Sequence, residues 1–238
     1  MKNNQDPQRQ LEEIRLFYNS VYHKSAKPVT RVSRHLRHLA SRLGIGESQR
    51  VLDVACGVGE WLQACVERGA IPSGVDLSEN AISACKTNFK NGDFHCSPAE
   101  TLPFEAARFD VISCLGSLEH FVEQEKALAE MVRVSKAGAK FLFLVPNSDF
   151  LTRRLGLFQG TYQIDAKEDV KSIAEWTHLF EDAGLLVDTC WRDLHVVSWR
   201  WISAGKWHLI PLRAMQAIML AVWPLKWQYQ IYFLCRKR

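Results

Sequence analysis

The 238-residue sequence has no apolar run near the ~20 residues that a membrane-spanning helix needs; the longest candidate, Ala214 to Pro224, is about half that length and contains Gln216. The first twenty residues, MKNNQDPQRQLEEIRLFYNS, hold no apolar h-region, so no signal peptide is expected. No C-x-x-C pair occurs. The seven cysteines, Cys56, Cys65, Cys85, Cys96, Cys114, Cys190 and Cys235, are odd in number and fall mostly within apolar runs, which suits reduced, buried thiols and points to the cytoplasm. Internal repeats and low-complexity tracts are missing as well. Excess charge is scarce: a net +4 is too small to imply a nucleic-acid partner by itself. These absences leave a soluble protein, at most peripheral to a membrane.

What is present suffices for one full core. With 47% hydrophobic and 24% charged residues, the chain reads as a single decorated domain over residues 1–238. Its parts are N-terminal helices over 1–49, a core over 50–146, and a lid with an extended C-terminal part over 147–238. Leu11, Ile14, Tyr18 and Val21 share one helical face, and Val32, Leu36, Leu39 and Leu43 another, stopped at Gly44. The period then changes. Strands are expected at Arg50–Ala55, Ile71–Leu77, Gly92–Ser97, Phe109–Leu115 and Lys140–Pro146. Helices are expected over Glu60–Arg68, Ser78–Phe89 with Ser78 as N-cap, and Gln124–Val134 with a stop at Gly138. Alternating strands and helices imply an α/β fold, a doubly wound and mainly parallel sheet, with an antiparallel strand from Tyr229 to Cys235 at or near its edge. After Asn147 an irregular stretch of about twenty residues, long enough to act as a lid, precedes a helix carrying Ile173, Trp176 and Phe180 and closed by Gly184.

The chemistry begins at Val51-Leu-Asp-Val-Ala-Cys-Gly-Val-Gly59, a strand that enters a glycine turn and then a helix. Gly57 and Gly59 let the backbone approach a ligand at the carboxyl ends of the strands. A dinucleotide turn wants a third glycine, and that position is Leu62. Asp53 also argues against a pyrophosphate, which it would repel, and suits a cationic amino group. The second strand ends in Gly74-Val-Asp76-Leu77, where the carboxylate can accept both hydrogen bonds of a ribose diol. An amino-acid end near Asp53 and a ribose near Asp76 describe S-adenosyl-L-methionine.

Together VLDVACGVG, GVDLS, SPAETLPF and FDVISCLGSLEHF, over residues 50–146, resemble the class I S-adenosylmethionine-dependent methyltransferases in order and spacing. The SLEHF stretch is most similar to the O-methyltransferases of ubiquinone assembly and related type 11 methyltransferases. The resemblance implies a Rossmann-like fold and a cofactor site made by Asp53, Ala55, Cys56, Gly57, Gly59, Asp76, Leu77, Ala99, Glu100 and Leu115. In it Asp53 and Gly57 would hold the methionine part and Asp76 the ribose. The backbone around Ala99 with the Glu100 side chain would hold the adenine edge, and Leu115 would line the cofactor. Two positions depart from the family pattern. Ala55 replaces the first loop glycine, which a negative φ would permit. Pro98 replaces the acid often found before Ala99 and supplies neither side-chain acceptor nor N–H.

Methyl transfer needs an acceptor nucleophile in line with the methyl group, and a base when the acceptor is a hydroxyl. His120 is the candidate base, with a structural or cofactor-side histidine as the alternative. Glu119 lacks a matched carboxylate at ligand spacing, so no metal is expected. Arg34 or Arg37, in a basic helix, could reach a carboxylate of the cofactor or an anionic substrate, and Tyr18 and Tyr22 could close over the cofactor. The implied activity is methyl transfer to a small-molecule or lipid-like acceptor, at oxygen by resemblance alone. A nucleotide-dependent oxidoreductase and a non-catalytic cofactor-binding scaffold are the rival readings.

The last fifty residues, Thr189 to Arg238, hold six of the eight tryptophans, eight Lys and Arg, and one acid, Asp193. Such a composition suits peripheral membrane contact or a lipid-like substrate, with an aromatic core or a subunit contact as the plainer alternative. Pro211 and Pro224 are expected to bracket a short helix, Leu212 to Trp223.

Overall fold

Seven segments with largely buried side chains form one sheet in a computed structural model that describes residues 7–23, 27–154, 156, 169–197, 199–203 and 207–238. The strands are β1 (Arg50–Val54), β2 (Ile71–Asp76), β3 (Asp93–Cys96), β4 (Phe109–Leu115), β5 (Ser135–Pro146), β6 (Leu185–Arg192) and β7 (Gln230–Lys237). Their order is β3-β2-β1-β4-β5-β7-β6. The first five are parallel, and β7 runs antiparallel between β5 and β6. The closing antiparallel strand is therefore second from the edge, and β6 forms the edge itself.

Helices among the described residues are α1 (Pro7–Phe17), α2 (Arg34–Arg42), α3 (Glu60–Val66), α4 (Glu79–Asn88), α5 (Gln124–Val134), α6 (Leu151–Arg154), α7 (Ile173–Asp182), α8 (Trp199–Ile202) and α9 (Ile210–Val222). Serine side chains start three of them. Ser33 caps α2, Ser78 caps α4, and Ser172 with Glu175 closes a full capping box on α7.

Successive strand residues point to opposite faces, which divides the core in two. On one face Leu52, Ile112, Phe143 and Phe233 pack under α5 and α7, where the Phe180 ring stacks on Phe143 at 4.4 Å. The fully buried Trp176 donates its indole N–H to the Pro146 carbonyl at 2.8 Å, which ties α7 to the end of β5. On the other face Val51, Val111, Leu142 and Tyr232 pack under α2 and α3. Leu39, Leu43, Leu62 and Cys65 are the helical side of that layer.

Three details differ from expectation. The helix Gln124–Val134 has the expected bounds, but Gly138 is not its stop: the chain is extended from Ser135, which pairs with Phe109. Gly138, at φ +74°, instead lies in a register shift before Lys140 pairs with Val111. Pro211 does not precede α9 but sits in its first turn, where its missing N–H costs nothing. The opening helix ends at Phe17 and continues as a π-turn over Tyr18–Tyr22. Most of the expected lid after Asn147, and the side chains of Val21, Tyr22 and Trp201, lie outside what is described.

Candidate active site

The glycine turn after β1 forms because the chain must leave a buried strand and start α3 within a few residues. Ala55, Gly57 and Gly59 all have positive φ there, at +62°, +51° and +85°. The negative φ that would permit Ala55 at this glycine position is not found; the turn forces it into the left-handed region, a strain of about 1 kcal/mol for a residue with a Cβ. Gly59 begins α3 behind the turn, and a Cβ on it would meet the Phe89 ring at 2.7 Å. It packs the turn on α4 and is not among the residues that line the cavity.

In front of the turn lies a cavity of about 560 Å³ at the carboxyl ends of β1, β2 and β4. Asp53, Ala55, Cys56, Gly57, Asp76, Leu77, Ala99, Glu100, Leu115 and His120 all line it. Thus ten of the eleven sequence-predicted residues meet in one place. Beyond Leu115 the backbone turns at Gly116, φ +72°, where an added Cβ would meet nothing within 4 Å, so the cavity wall there is bare main chain.

Asp53 is 4% exposed. Its Oδ1 accepts the Ser113 hydroxyl at 2.6 Å, and Ser113 Oγ in turn accepts the Trp61 indole N–H at 2.9 Å. Burial pushes the Asp53 carboxyl up to about 7; the Ser113 hydrogen bond opposes the rise, and the charge of Asp76 adds to it. Asp76 Oδ2 accepts the Gly57 N–H and Oδ1 the Ser78 N–H, each at 2.8 Å. It therefore clamps the glycine turn to the start of α4 and still presents lone pairs to the cavity. Burial raises its pKa against the pull of those N–H groups.

Cys56 and Cys85 turn their thiols toward the Gly57 carbonyl, at 3.6 and 3.3 Å. The hydrogen-bonding contact with Cys85, together with burial, raises the Cys56 pKa, so the Cys56 thiol is a neutral packing element. Glu100 is buried, and its Oε1 accepts the Glu123 N–H at 3.3 Å. The His120 side chain is 7% exposed, with Nε2 4.0 Å from Glu119 Oε1. Among the described residues no group of three or more His, Cys, Asp or Glu side chains is placed to hold a metal ion.

The N-terminal segment roofs the cavity with Leu11, Ile14, Tyr18 and His23, and α2 adds Leu36. The roof is tied down: Ser78 Oγ donates to Asn19 Oδ1 at 2.8 Å, and Arg15 pairs with Glu79. His23 lies over the glycine turn, 3.6 Å from where a Cβ on Gly57 would stand. Its pKa is lowered by burial, against the attraction of Asp76. Neither basic candidate in α2 reaches the site. Arg37 forms a two-pronged pair with Glu67, at 2.7 and 3.0 Å, because α2 packs beside α3; Arg34 is exposed.

Sequence reasoning missed His23, Trp61 and Ser113. Ser113 carried a signal: it is a polar residue inside a buried strand, in register with Asp53 on the neighbouring strand. His23 carried none, since its placement depends on how the N-terminal segment folds back.

Among the described residues no Lys or Arg lines the cavity, while three buried carboxylates, Asp53, Asp76 and Glu100, do. A pyrophosphate would be repelled there, and a ligand with an ammonium, a sulfonium and a ribose diol fits. The size suits one such molecule. Residues 52–143 match the family model described as a methyltransferase domain. The chain carries a class I S-adenosylmethionine-dependent methyltransferase domain. The domain is 34% identical over 108 residues to the ubiquinone biosynthesis O-methyltransferase of Coxiella burnetii, covering 44% of this chain and 46% of that protein. It is 28% identical over 186 residues to the demethylmenaquinone methyltransferase of Renibacterium salmoninarum, covering 72% and 77%. The chain thus spans about half the length of the ubiquinone-pathway relatives it matches. Among solved structures, a SAM-dependent methyltransferase from Aquifex aeolicus shares the fold with a TM-score of 0.58 at 16% identity, covering 99% of this chain and 100% of that one.

Proposed function

We propose that the whole chain, as a single methyltransferase domain, transfers a methyl group from S-adenosyl-L-methionine to the oxygen of a small-molecule or lipid-like acceptor in the cytoplasm. The observation that carries this reading is the pair of buried carboxylates, Asp53 and Asp76, opening into one cavity that no described Lys or Arg lines. Similarity to proteins named for ubiquinone and menaquinone methylation supports an acceptor of that chemical class.

In this assignment Asp53, Ala55, Cys56 and Gly57 hold the methionine end, the first through its charge and the others through the turn. Asp76 and Leu77 hold the ribose, Ala99 and Glu100 the adenine edge, and Leu115 lines the sulfur side. The cofactor supplies an electrophilic methyl on a cationic sulfur. An acceptor oxygen held in line with that methyl would be the nucleophile, and the His120 imidazole would take the proton that the acceptor loses. Glu119, 4.0 Å away, favours the imidazolium that results.

Calorimetric titration with S-adenosylmethionine, NAD and NADP separates the reading from a nucleotide-dependent oxidoreductase. Binding of the first alone is expected, and tight NAD binding would overturn it. Turnover to S-adenosylhomocysteine with phenolic or quinol acceptors separates it from a non-catalytic scaffold.

A further inference from the structure

Helix α9 is built inside out for a helix facing water. Its one fully buried position is Ala217, while Leu212, Met215, Ile218, Met219 and Val222 point outward with 49–76% of their surface exposed. A helix of a water-soluble face carries the opposite pattern. Trp199 and Trp207, 70% and 81% exposed, extend the apolar patch beyond the helix.

The inner side of α9 is firmly held, so the outer side is not the by-product of a loose helix. Arg192, at the end of β6, donates to the Ala221 carbonyl. Gln228 Nε2 donates to the carbonyls of Leu220 and Trp223 at 2.7 and 3.1 Å. Asn147, following β5, donates to those of Lys226 and Gln228 at 2.9 and 3.0 Å. The helix is therefore moored at the carboxyl edge of the sheet, the edge at which the cavity also lies.

Charge selects the occupant. From Leu194 to Tyr229 the sequence has no Asp or Glu, whereas Arg213 on α9 and the exposed Lys226 are cationic. The acid that precedes this segment in the sequence, Asp193, is buried and occupied: its carboxylate takes the His195 imidazole and backbone N–H, and stands 3.4 Å from His35 Nε2. Two copies meeting through this face would juxtapose like charges. An anionic lipid surface complements it, and tryptophan favours the bilayer boundary. Arg236, Lys237 and Arg238 play no part, since β7 carries them to the opposite edge. Trp191 is excluded too, stacked between Arg42 and Tyr232.

We infer that the face formed by α9, Trp199 and Trp207 docks on an anionic lipid bilayer, with the ~20 Å helix lying flat in the headgroup boundary. No described helix is long and apolar enough to cross a membrane, so contact is one-sided. The inference stands apart from the methyl-transfer reading and would survive its failure.

The test is flotation of the full chain with vesicles of phosphatidylcholine alone and of phosphatidylcholine with about one-third phosphatidylglycerol, at low and high salt. Binding only to the anionic vesicles, released by salt, is expected. The double variant Ile218→Glu with Val222→Glu should abolish it, and Lys226→Gln should weaken it about fivefold, both with an unchanged thermal melt. If the double variant melts early, Lys226→Gln and Trp207→Ala carry the test alone. Absence of flotation, equal flotation of variants and wild type, or a dimer that the variants disperse would each overturn the inference.

Discussion

Asp53 and Ser113 stand opposite each other on parallel neighbouring strands, and the serine hydroxyl donates to the carboxylate across 2.6 Å. That bond lowers the Asp53 pKa, yet burial still holds it up to about 7. Cofactor affinity should therefore depend on pH near neutrality. A bound ammonium needs the carboxylate ionised, so below about 7 binding must release a proton, and affinity should fall by up to about tenfold per pH unit. Ser113→Ala should move the midpoint upward. Calorimetric titration across pH 5.5 to 8.5 reads it, and a flat profile would separate Asp53 from the cofactor.

The same carboxyl affects stability with the opposite sense. Its folded pKa lies above the unfolded value, so between the ordinary carboxylate range and about 7 the folded chain binds the extra proton. Stability of the ligand-free protein should then decline as pH rises through that window. Asp53→Asn removes the effect and should raise the denaturation midpoint more at pH 8 than at pH 5, while weakening cofactor binding.

Asp76→Ala is expected to weaken S-adenosylmethionine binding by roughly 2 kcal/mol and also to destabilise the fold, because the N–H groups of Gly57 and Ser78 lose their acceptor. Denaturation curves and calorimetry on the same variant separate the two losses. Unchanged affinity in a folded variant would remove the ribose assignment.

Ala55→Gly should stabilise the protein by about 1 kcal/mol, since Ala55 is held at φ +62° and glycine adopts that conformation without steric cost. Part of the gain is offset by the greater freedom of glycine in the unfolded chain. Urea denaturation measures the balance, and a loss of stability would mean that the methyl group packs usefully in the turn.

His120→Ala should lower kcat by about a hundredfold with cofactor affinity retained if the imidazole is the base. A loss confined to cofactor binding would make His120 a wall of the cofactor site instead.

Much of the core was legible because it obeys local rules. The strand-to-glycine-to-helix turn, the carboxylates at the ends of β1 and β2, and the Ser78 cap each depend on a few consecutive residues. The helix stop at Gly138 was misplaced because a positive-φ glycine serves a register shift in a strand as readily as a helix end. Arg37 was drawn toward the site by its charge alone, and its partner Glu67, thirty residues on, is set by how α2 packs on α3.

The sequence by itself determined the α/β rhythm, the glycine turn and the chemistry of the cofactor cavity, because periodicity and strand ends are properties of short segments. Only the tertiary structure decided that His23 and Leu36 roof that cavity, that Asp53 is buried deeply enough to titrate near 7, and that α9 turns its apolar side outward. Burial and long-range contact arise when distant segments pack together, and no window of consecutive residues contains them.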